Sequence, residues 1–210
     1  MLRPLDILVV LKIQAINDVW KQGNHGFGGG GGSGGGFGDG TGFGGPIDEA
    51  RKIEVQIRNG PPIPFSDLGN SLGISASQAY SAVQRSKEAA LLRQDYSVRT
   101  SALLETLLAI NHYMPAKRGG LARGIPTAHA ALPLSELIQP NDEPVPVWSH
   151  PQGSLRGMIC EPLYKTAPQA ALADPILYEY LALIDALRIG RAREVNIART
   201  ELQRRLQENK

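Results

Sequence analysis

Six polar side chains recur at helical spacing in the segment ISASQAYSAVQR, residues 74–85. They would share one face of a helix, because Ala79, Ala82 and Val83 form a narrow apolar stripe on the opposite side. Hydroxyl, amide and guanidinium groups on one helix face can hydrogen-bond to base edges and phosphates in a major groove. The segment therefore predicts a DNA-contacting face, made of Ser77, Gln78, Tyr80, Ser81, Gln84 and Arg85.

The residues just before this face predict a first helix and a tight turn. Leu68 and Leu72 are four residues apart, so they would lie on one side of a short helix. Gly73 suits a turn that requires a positive φ. Ser75 and Gln78 have the spacing of a capping box, which marks the start of the second helix. Together these signals predict two helices joined by a short turn.

This pattern resembles the winged helix-turn-helix domains of bacterial transcriptional regulators, MarR-like ones among them. The small residue at Gly69, the turn at Gly73 and the run of residues 79–85 carry the resemblance, which covers roughly residues 50–95. It implies a prokaryotic, cytoplasmic regulator of transcription that binds double-stranded DNA through its second helix, as a homodimer.

Two features depart from the family's pattern. Ser86 stands where such helices usually carry a large apolar residue, which weakens the inner face of the second helix. A strand is expected over residues 90–93, but residues 94–97 are short for a full wing. We therefore expect the wing to be reduced.

Composition and charge bound the remaining possibilities. The chain has 210 residues, 42% of them apolar, and a net charge of +2, so it can build a core without a strongly basic overall signature. Cys160 is the only cysteine, which excludes an intrachain disulfide and fits a reducing cytosol. The apolar run of residues 5–16 is too short to span a bilayer and lacks a cleavage signature, so we expect no membrane association.

The predicted fold is mainly α with a small β component: a winged helix-turn-helix domain plus a C-terminal hairpin and helical extension. The winged domain is assigned to residues 1–112, begins with a helix over residues 2–20, and is interrupted by a disordered glycine-rich loop at 23–45. A basic loop and a small β-hairpin are assigned to residues 113–172. Residues 173–210 are predicted as helices that pack back on the domain or dimerise.

Further elements are predicted from hydrophobic spacing and turn signals. Helices are expected over residues 48–58 and 99–113. The hairpin strands are expected at residues 145–148 and 155–160. Asp174, followed by a proline, predicts the start of a long helix.

A basic segment forms the second candidate DNA contact. Lys117, Arg118 and Arg123 are set among glycines and prolines within residues 114–133, without a helical or alternating pattern. Cations beside the backbone amides of a glycine-rich loop suit a phosphate, so the segment is interpreted as an extended DNA-contacting arm or displaced wing. The alternative is a solvated loop whose cations pair with nearby acidic residues.

Nothing in the sequence favours an enzyme. The four histidines have no metal-ligand spacing with one another or with carboxylates, and no nucleophile-elbow motif is present. Cys160 lies in an apolar strand, where a buried, unreactive thiol is expected. We therefore predict no catalytic residues, no metal and no cofactor.

Two functions remain open. The first is a sequence-specific DNA-binding transcriptional regulator. The second is a protein-interaction module, because residues 185–194 faintly resemble uncharacterised bacterial winged-helix proteins of toxin–antitoxin loci. In that case the partner would be a second protein encoded nearby, such as a nucleotidyltransferase-type toxin.

Overall fold

Helices make up most of the chain that the structure describes. This computed structural model describes residues 1–24, 63–139 and 143–207. Its strands are β1 (Arg118–Pro126), β2 (Pro146–Ser149) and β3 (Leu155–Cys160), which confirms the mainly α fold with a small β component. The helices, in chain order, are α1 (Pro4–Asn24), α2 (Phe65–Leu72), α3 (Ala76–Glu88), α4 (Thr100–Leu108), α5 (Ile110–Tyr113), α6 (Leu134–Leu137), α7 (Ala167–Ala173), α8 (Pro175–Ile189) and α9 (Ala192–Gln207), with a 3-10 turn at Ala128–Ala130.

Helix α1 lies at the centre of the core. Every residue from 5 to 11 is buried, so this first part of the helix is covered on all sides rather than along the single apolar stripe that the sequence predicts, while Val19 and Trp20 near its end are exposed. It packs against α3 and α8. The Lys12 ammonium lies 2.7 Å from the Asp174 carboxylate, and the Tyr180 hydroxyl donates to Asp18 at 2.7 Å. Lys12 precedes Asp18 along α1, and their partners Asp174 and Tyr180 follow in the same order along α8. The two helices therefore run parallel.

The α2–α3 pair forms as the sequence predicts. Leu68 and Leu72 are fully buried, and Gly73 takes the left-handed conformation with φ 65°. The Ser75 hydroxyl accepts the Gln78 backbone N–H at 3.2 Å, and the Gln78 side chain accepts the Ser75 backbone N–H at 3.0 Å. Both halves of the capping box are therefore present, which confirms that prediction.

Ser86 is fully buried on the inner face of α3. Its hydroxyl donates to the Ala82 carbonyl at 2.8 Å, four residues earlier in the same helix. The smaller side chain at this position is therefore accommodated without an unpaired polar group.

The three strands form a small closed sheet in which each strand pairs with the other two. β2 and β3 both run antiparallel to β1, through pairs such as Ile125 with Trp148 and Ala122 with Gly157. They are parallel to each other, so the predicted hairpin between them is wrong although both strands exist. A Cβ at Gly124 would lie 2.2 Å from the Trp148 carbonyl oxygen, which explains the need for glycine at this close approach.

The basic segment is also different from its prediction. Arg118 and Arg123 lie in β1, and Lys117 directly precedes it, so this is a paired strand and not a loop or extended arm. The prediction failed because glycines at 119, 120 and 124 obscure the alternation expected of a strand.

Other expectations differ in smaller ways. The strand predicted over residues 90–93 is reduced to one antiparallel bridge between Leu92 and Val98. The helix predicted over residues 99–113 is divided at Ala109 into α4 and α5, and α7 has no counterpart among the predictions. Helix α1 extends to Asn24, and both the rest of the predicted glycine-rich loop and the predicted helix at 48–58 lie outside the described residues.

The C-terminal helices complete the core. Asp174 caps α8 by accepting the Leu177 backbone N–H at 3.0 Å, as its sequence predicts. Helix α9 packs against α8 and α4, burying the apolar stripe of Ala198, Leu202 and Leu206 within the same chain. These side chains join the helices α1 to α3 in one cluster of buried residues. The division into three regions remains a prediction.

The turn between α2 and α3 depends on a small residue at position 69. A Cβ there would lie 2.7 Å from the Ile74 carbonyl oxygen, so Gly69→Ala should lower the free energy of unfolding by about 2 kcal/mol through overpacking. Urea unfolding followed by circular dichroism measures this. Gly120→Ala is the matched control, because a Cβ at that position meets nothing within 4 Å. Equal effects of the two substitutions would show that the turn is not tightly packed.

Candidate nucleic-acid interface

The polar face of α3 is accessible. Ser77, Gln78, Tyr80 and Ser81 are exposed, and Gln84 is half-buried. The inner residues Ala79, Ala82 and Val83 are fully buried, so the predicted division of the helix into two faces is confirmed. Residues 77, 81 and 84 follow the spacing of one helical stripe, which places two hydroxyls and an amide in line along the outside of the helix.

Three members of this face also have structural contacts. The Gln78 side chain is an acceptor in the capping box, and the Ser77 hydroxyl lies 3.0 Å from the Ser75 hydroxyl. Tyr80 packs edge-on against Phe65 of α2, with ring centroids 5.3 Å apart. Among the polar residues predicted on this face, Ser81 and Gln84 make no side-chain hydrogen bond to a described residue. They are therefore the side chains most available to a ligand.

Arg85, in contrast, is bound within the protein. Its Nε and one terminal nitrogen contact both oxygens of Asp6 at 2.6–3.0 Å, while Asp6 is fully buried. The hydrogen bond to Asp6 raises the pKa of the Arg85 guanidinium. This bidentate pair fastens the end of α3 to the start of α1. Helical spacing predicted Arg85 on the outer face of α3. It could not predict that Arg85 pairs with the carboxylate of Asp6, which lies 79 residues earlier in the chain.

The cations at the start of β1 lie in a different part of the molecule. Arg118 donates to the backbone carbonyl of Ile189, at the end of α8. Arg85 binds Asp6 at the start of α1, whereas Arg118 binds Ile189 at the end of α8. Because the two helices run parallel, the α-helical rise per residue separates Asp6 and Ile189 by about 30 Å along the helix direction. Lys117 and Arg118 are exposed, but they do not adjoin Arg85 in one cluster. Arg123 donates through Nε to the Gly153 carbonyl at 2.6 Å.

A minimal hairpin follows α3 where a wing was expected. The Arg93 backbone N–H donates to the Ser97 carbonyl at 2.9 Å, beside the bridge of Leu92 and Val98. Lys87 lies over the Tyr96 ring, 3.4 Å from its centroid. The short hairpin is thus packed against the end of α3 and extends only a few residues.

A buried polar network holds the sheet against α8. Asp185 accepts hydrogen bonds from Thr127 at 2.9 Å, the Trp148 indole at 2.6 Å and Arg188 at 2.7 Å. The buried Trp148 indole therefore lies between the sheet and α8. Burial raises the pKa of the Cys160 thiol, which fits the unreactive thiol expected from the sequence.

A cleft between β3 and the α8–α9 junction contains several charged groups. Arg191 lies 2.5 Å from Glu143, and His129 lies 3.5 Å from Glu194. Arg118 at its edge is bound to the Ile189 carbonyl. These charges are satisfied by neighbours in the same chain, so the cleft offers a weaker case for a ligand site than α3 does.

The sequence predictions did not include Arg156 among the candidate contacts. Arg156 in β3 is exposed and lies directly opposite Arg123 of β1. The sequence contains the arginine, but only the strand pairing places it beside Arg123.

Comparison with protein-family models, with curated proteins and with solved structures found no match to this chain. Within residues 1–24, 63–139 and 143–207, no helix is long and apolar enough to cross a membrane. In the same ranges, no three His, Cys, Asp or Glu side chains are grouped to hold a metal ion.

Removal of Arg85 tests its structural role. Arg85→Met should lower the free energy of unfolding by about 3 kcal/mol, because it leaves the buried Asp6 carboxylate without its cation. Chemical denaturation measures the loss. The double variant with Asp6→Asn should recover part of the stability, since it removes the buried charge as well. A stable single variant would contradict the anchoring role.

The Asp185 network makes a pH-dependent contribution to stability. Burial raises the pKa of Asp185 above its ordinary value of 3.8, so the folded state holds this proton more tightly than the unfolded state. The resulting stabilisation is complete below that ordinary value and is lost as pH rises through the folded pKa. Asp185→Asn cannot ionise, so its stability relative to the wild type should improve between pH 4 and neutrality. Urea unfolding across this range would refute the assignment if the difference stayed constant.

Proposed function

We propose that this protein is a sequence-specific DNA-binding regulator of transcription that inserts α3 into the major groove. The observation that carries the proposal is the exposed polar stripe of α3, held on a helix whose other side is fully buried. A rigid helix with outward hydroxyl and amide groups matches the chemistry of base edges. The capping box and the Gly73 turn fix where this helix begins.

Within the proposal, Gln84 and Ser81 are the principal base-reading residues. Neither has another hydrogen-bonding partner among the described side chains, and an amide can contact adenine through two hydrogen bonds. Tyr80, packed on Phe65, offers its exposed ring edge and hydroxyl near the DNA backbone. Arg85 does not contact DNA in this proposal but fixes α3 to α1.

A homodimer on a two-fold operator is part of the proposal, since regulators that read DNA through one helix gain affinity from two half-sites. The apolar stripe of α9 is already buried in its own chain. The dimer would therefore use a surface other than that stripe. A cytoplasmic location follows from the same function.

A protein-interaction module is the second candidate. It is favoured by Leu121 and Leu155, large apolar side chains that are 56% and 44% exposed on β1 and β3. Exposed apolar residues beside arginines are common at protein interfaces. In this alternative, the sheet would bind a protein encoded nearby, such as a nucleotidyltransferase-type toxin.

The first test is binding to double-stranded DNA from the region upstream of the protein's own gene, across a salt series. Gln84→Ala should relax the preference at one base pair, with a loss of discrimination of about 1–3 kcal/mol, while leaving binding to random DNA unchanged. Fluorescence anisotropy with a panel of single-base variants measures this.

Asn196→Ala provides the matched control, because it removes an exposed amide from α9, away from the α2–α3 pair. It should leave the base preference intact. If no duplex is bound and the product of a neighbouring gene co-purifies, the interaction module is the better explanation. A preference that is unchanged in Gln84→Ala would remove α3 as the reading element.

A further inference from the structure

The small sheet is free of acidic residues. The three strands and the connecting residues 150–154 contain Arg118, Arg123, Arg156 and His150, with no Asp or Glu. This composition is unusual in a chain whose residues 130–185 are otherwise rich in carboxylates. The positive charge of the sheet is therefore not neutralised from within its own strands.

Two of these arginines face each other. Arg123 of β1 is the direct partner of Arg156 of β3 in the antiparallel register, and both are exposed. Side chains in direct cross-strand pairs lie on the same face, about 5 Å apart at Cβ, where like charges destabilise the sheet. A structure that keeps two arginines in this position gains stability when an anion binds between them.

The guanidinium groups have unused donors. Arg123 donates to a described residue only through Nε, to the Gly153 carbonyl, which orients the group and leaves its terminal nitrogens available. Arg156 donates no hydrogen bond to any residue in the described ranges. Terminal guanidinium nitrogens bind phosphate oxygens in a bidentate manner.

The pair is connected to the α2–α3 turn by a short series of contacts. The His150 backbone N–H donates to the Arg123 carbonyl at 3.3 Å, and the His150 ring lies 3.2 Å from the Gln169 side chain of α7. Thr166, at the start of α7, lies 3.5 Å from the position that a Gly73 Cβ would take. The arginine pair is thus joined to the turn before α3 through His150 and α7. Backbone phosphates on one side of B-DNA recur with each turn, about 34 Å, so an element joined to α3 in this way can contact the duplex that α3 reads.

We propose that Arg123 and Arg156 together bind a backbone phosphate of the duplex that α3 reads. This inference rests on the proposed function and assigns to the sheet the phosphate contacts that Arg85 cannot supply. The pair would fix the register of the protein on DNA and contribute equally to all sequences.

The test is the salt dependence of duplex binding by Arg123→Gln, Arg156→Gln and the double variant. Loss of the site should reduce the slope of log K against log salt concentration by about 1, because about one counterion is released for each phosphate bound. The double variant should show this loss in full, and each single variant should show part of it. Affinity for upstream and random DNA should fall by the same factor. Arg193→Gln, an exposed arginine of α9, is the matched control and should keep the wild-type slope.

Thermal unfolding of each variant separates binding from folding. Arg156→Gln removes no hydrogen bond within the described chain, so it keeps the test valid if Arg123→Gln unfolds. A wild-type slope in Arg156→Gln overturns the phosphate site while leaving α3 as the reader. Absence of duplex binding by the wild type overturns both proposals. Normal DNA binding by Arg156→Gln with loss of an acidic protein partner would assign the pair to that partner instead.

Discussion

Burial of the first half of α1, residues 5–11, is the constraint on which the rest of the structure depends. Polar residues on a helix in the core must be paired, and the partners of those on α1 lie on two elements, α3 and α8. Asp6 binds Arg85 of α3, Lys12 binds the cap residue of α8, and Asp18 binds Tyr180 within α8. The α2–α3 pair and the C-terminal helices are therefore both held by α1, although they are far apart in sequence.

This arrangement separates the roles of polar residues that look alike in the sequence. The sequence predicts Arg85 and Gln78 on the outer face of α3, yet Arg85 anchors the helix to α1 and Gln78 caps it. Ser81 and Gln84 neither anchor nor cap the helix. The sheet is held on α8 by Asp185, whose carboxylate accepts hydrogen bonds from Thr127 and Trp148 as well as from Arg188 of α8. This leaves the exposed side of β1 and β3 available for charge.

Local signals in the sequence predicted the local parts of the fold. The capping box, the Gly73 turn and the Asp174 cap each depend on residues within a few positions of one another, and each is present. Pairings between distant residues were not predictable in this way. Glycine-rich β1 lacks the strand pattern because Gly124 is required by the Trp148 carbonyl, and the partnership of Arg123 with Arg156 is a product of strand register. Likewise, the loss of Arg85 from the candidate DNA face depends on Asp6, a residue near the start of the chain.

The central position of α1 has a consequence for biosynthesis. The contacts of Lys12 with Asp174 and of Asp18 with Tyr180 each join residues 162 positions apart. Because α1 is synthesised well before α8, the apolar surface of α1 that α8 covers stays exposed until α8 has left the ribosome. The nascent chain is consequently exposed to aggregation during that interval. A chain that ends before α8 would keep that surface exposed and be a substrate for chaperones and proteases.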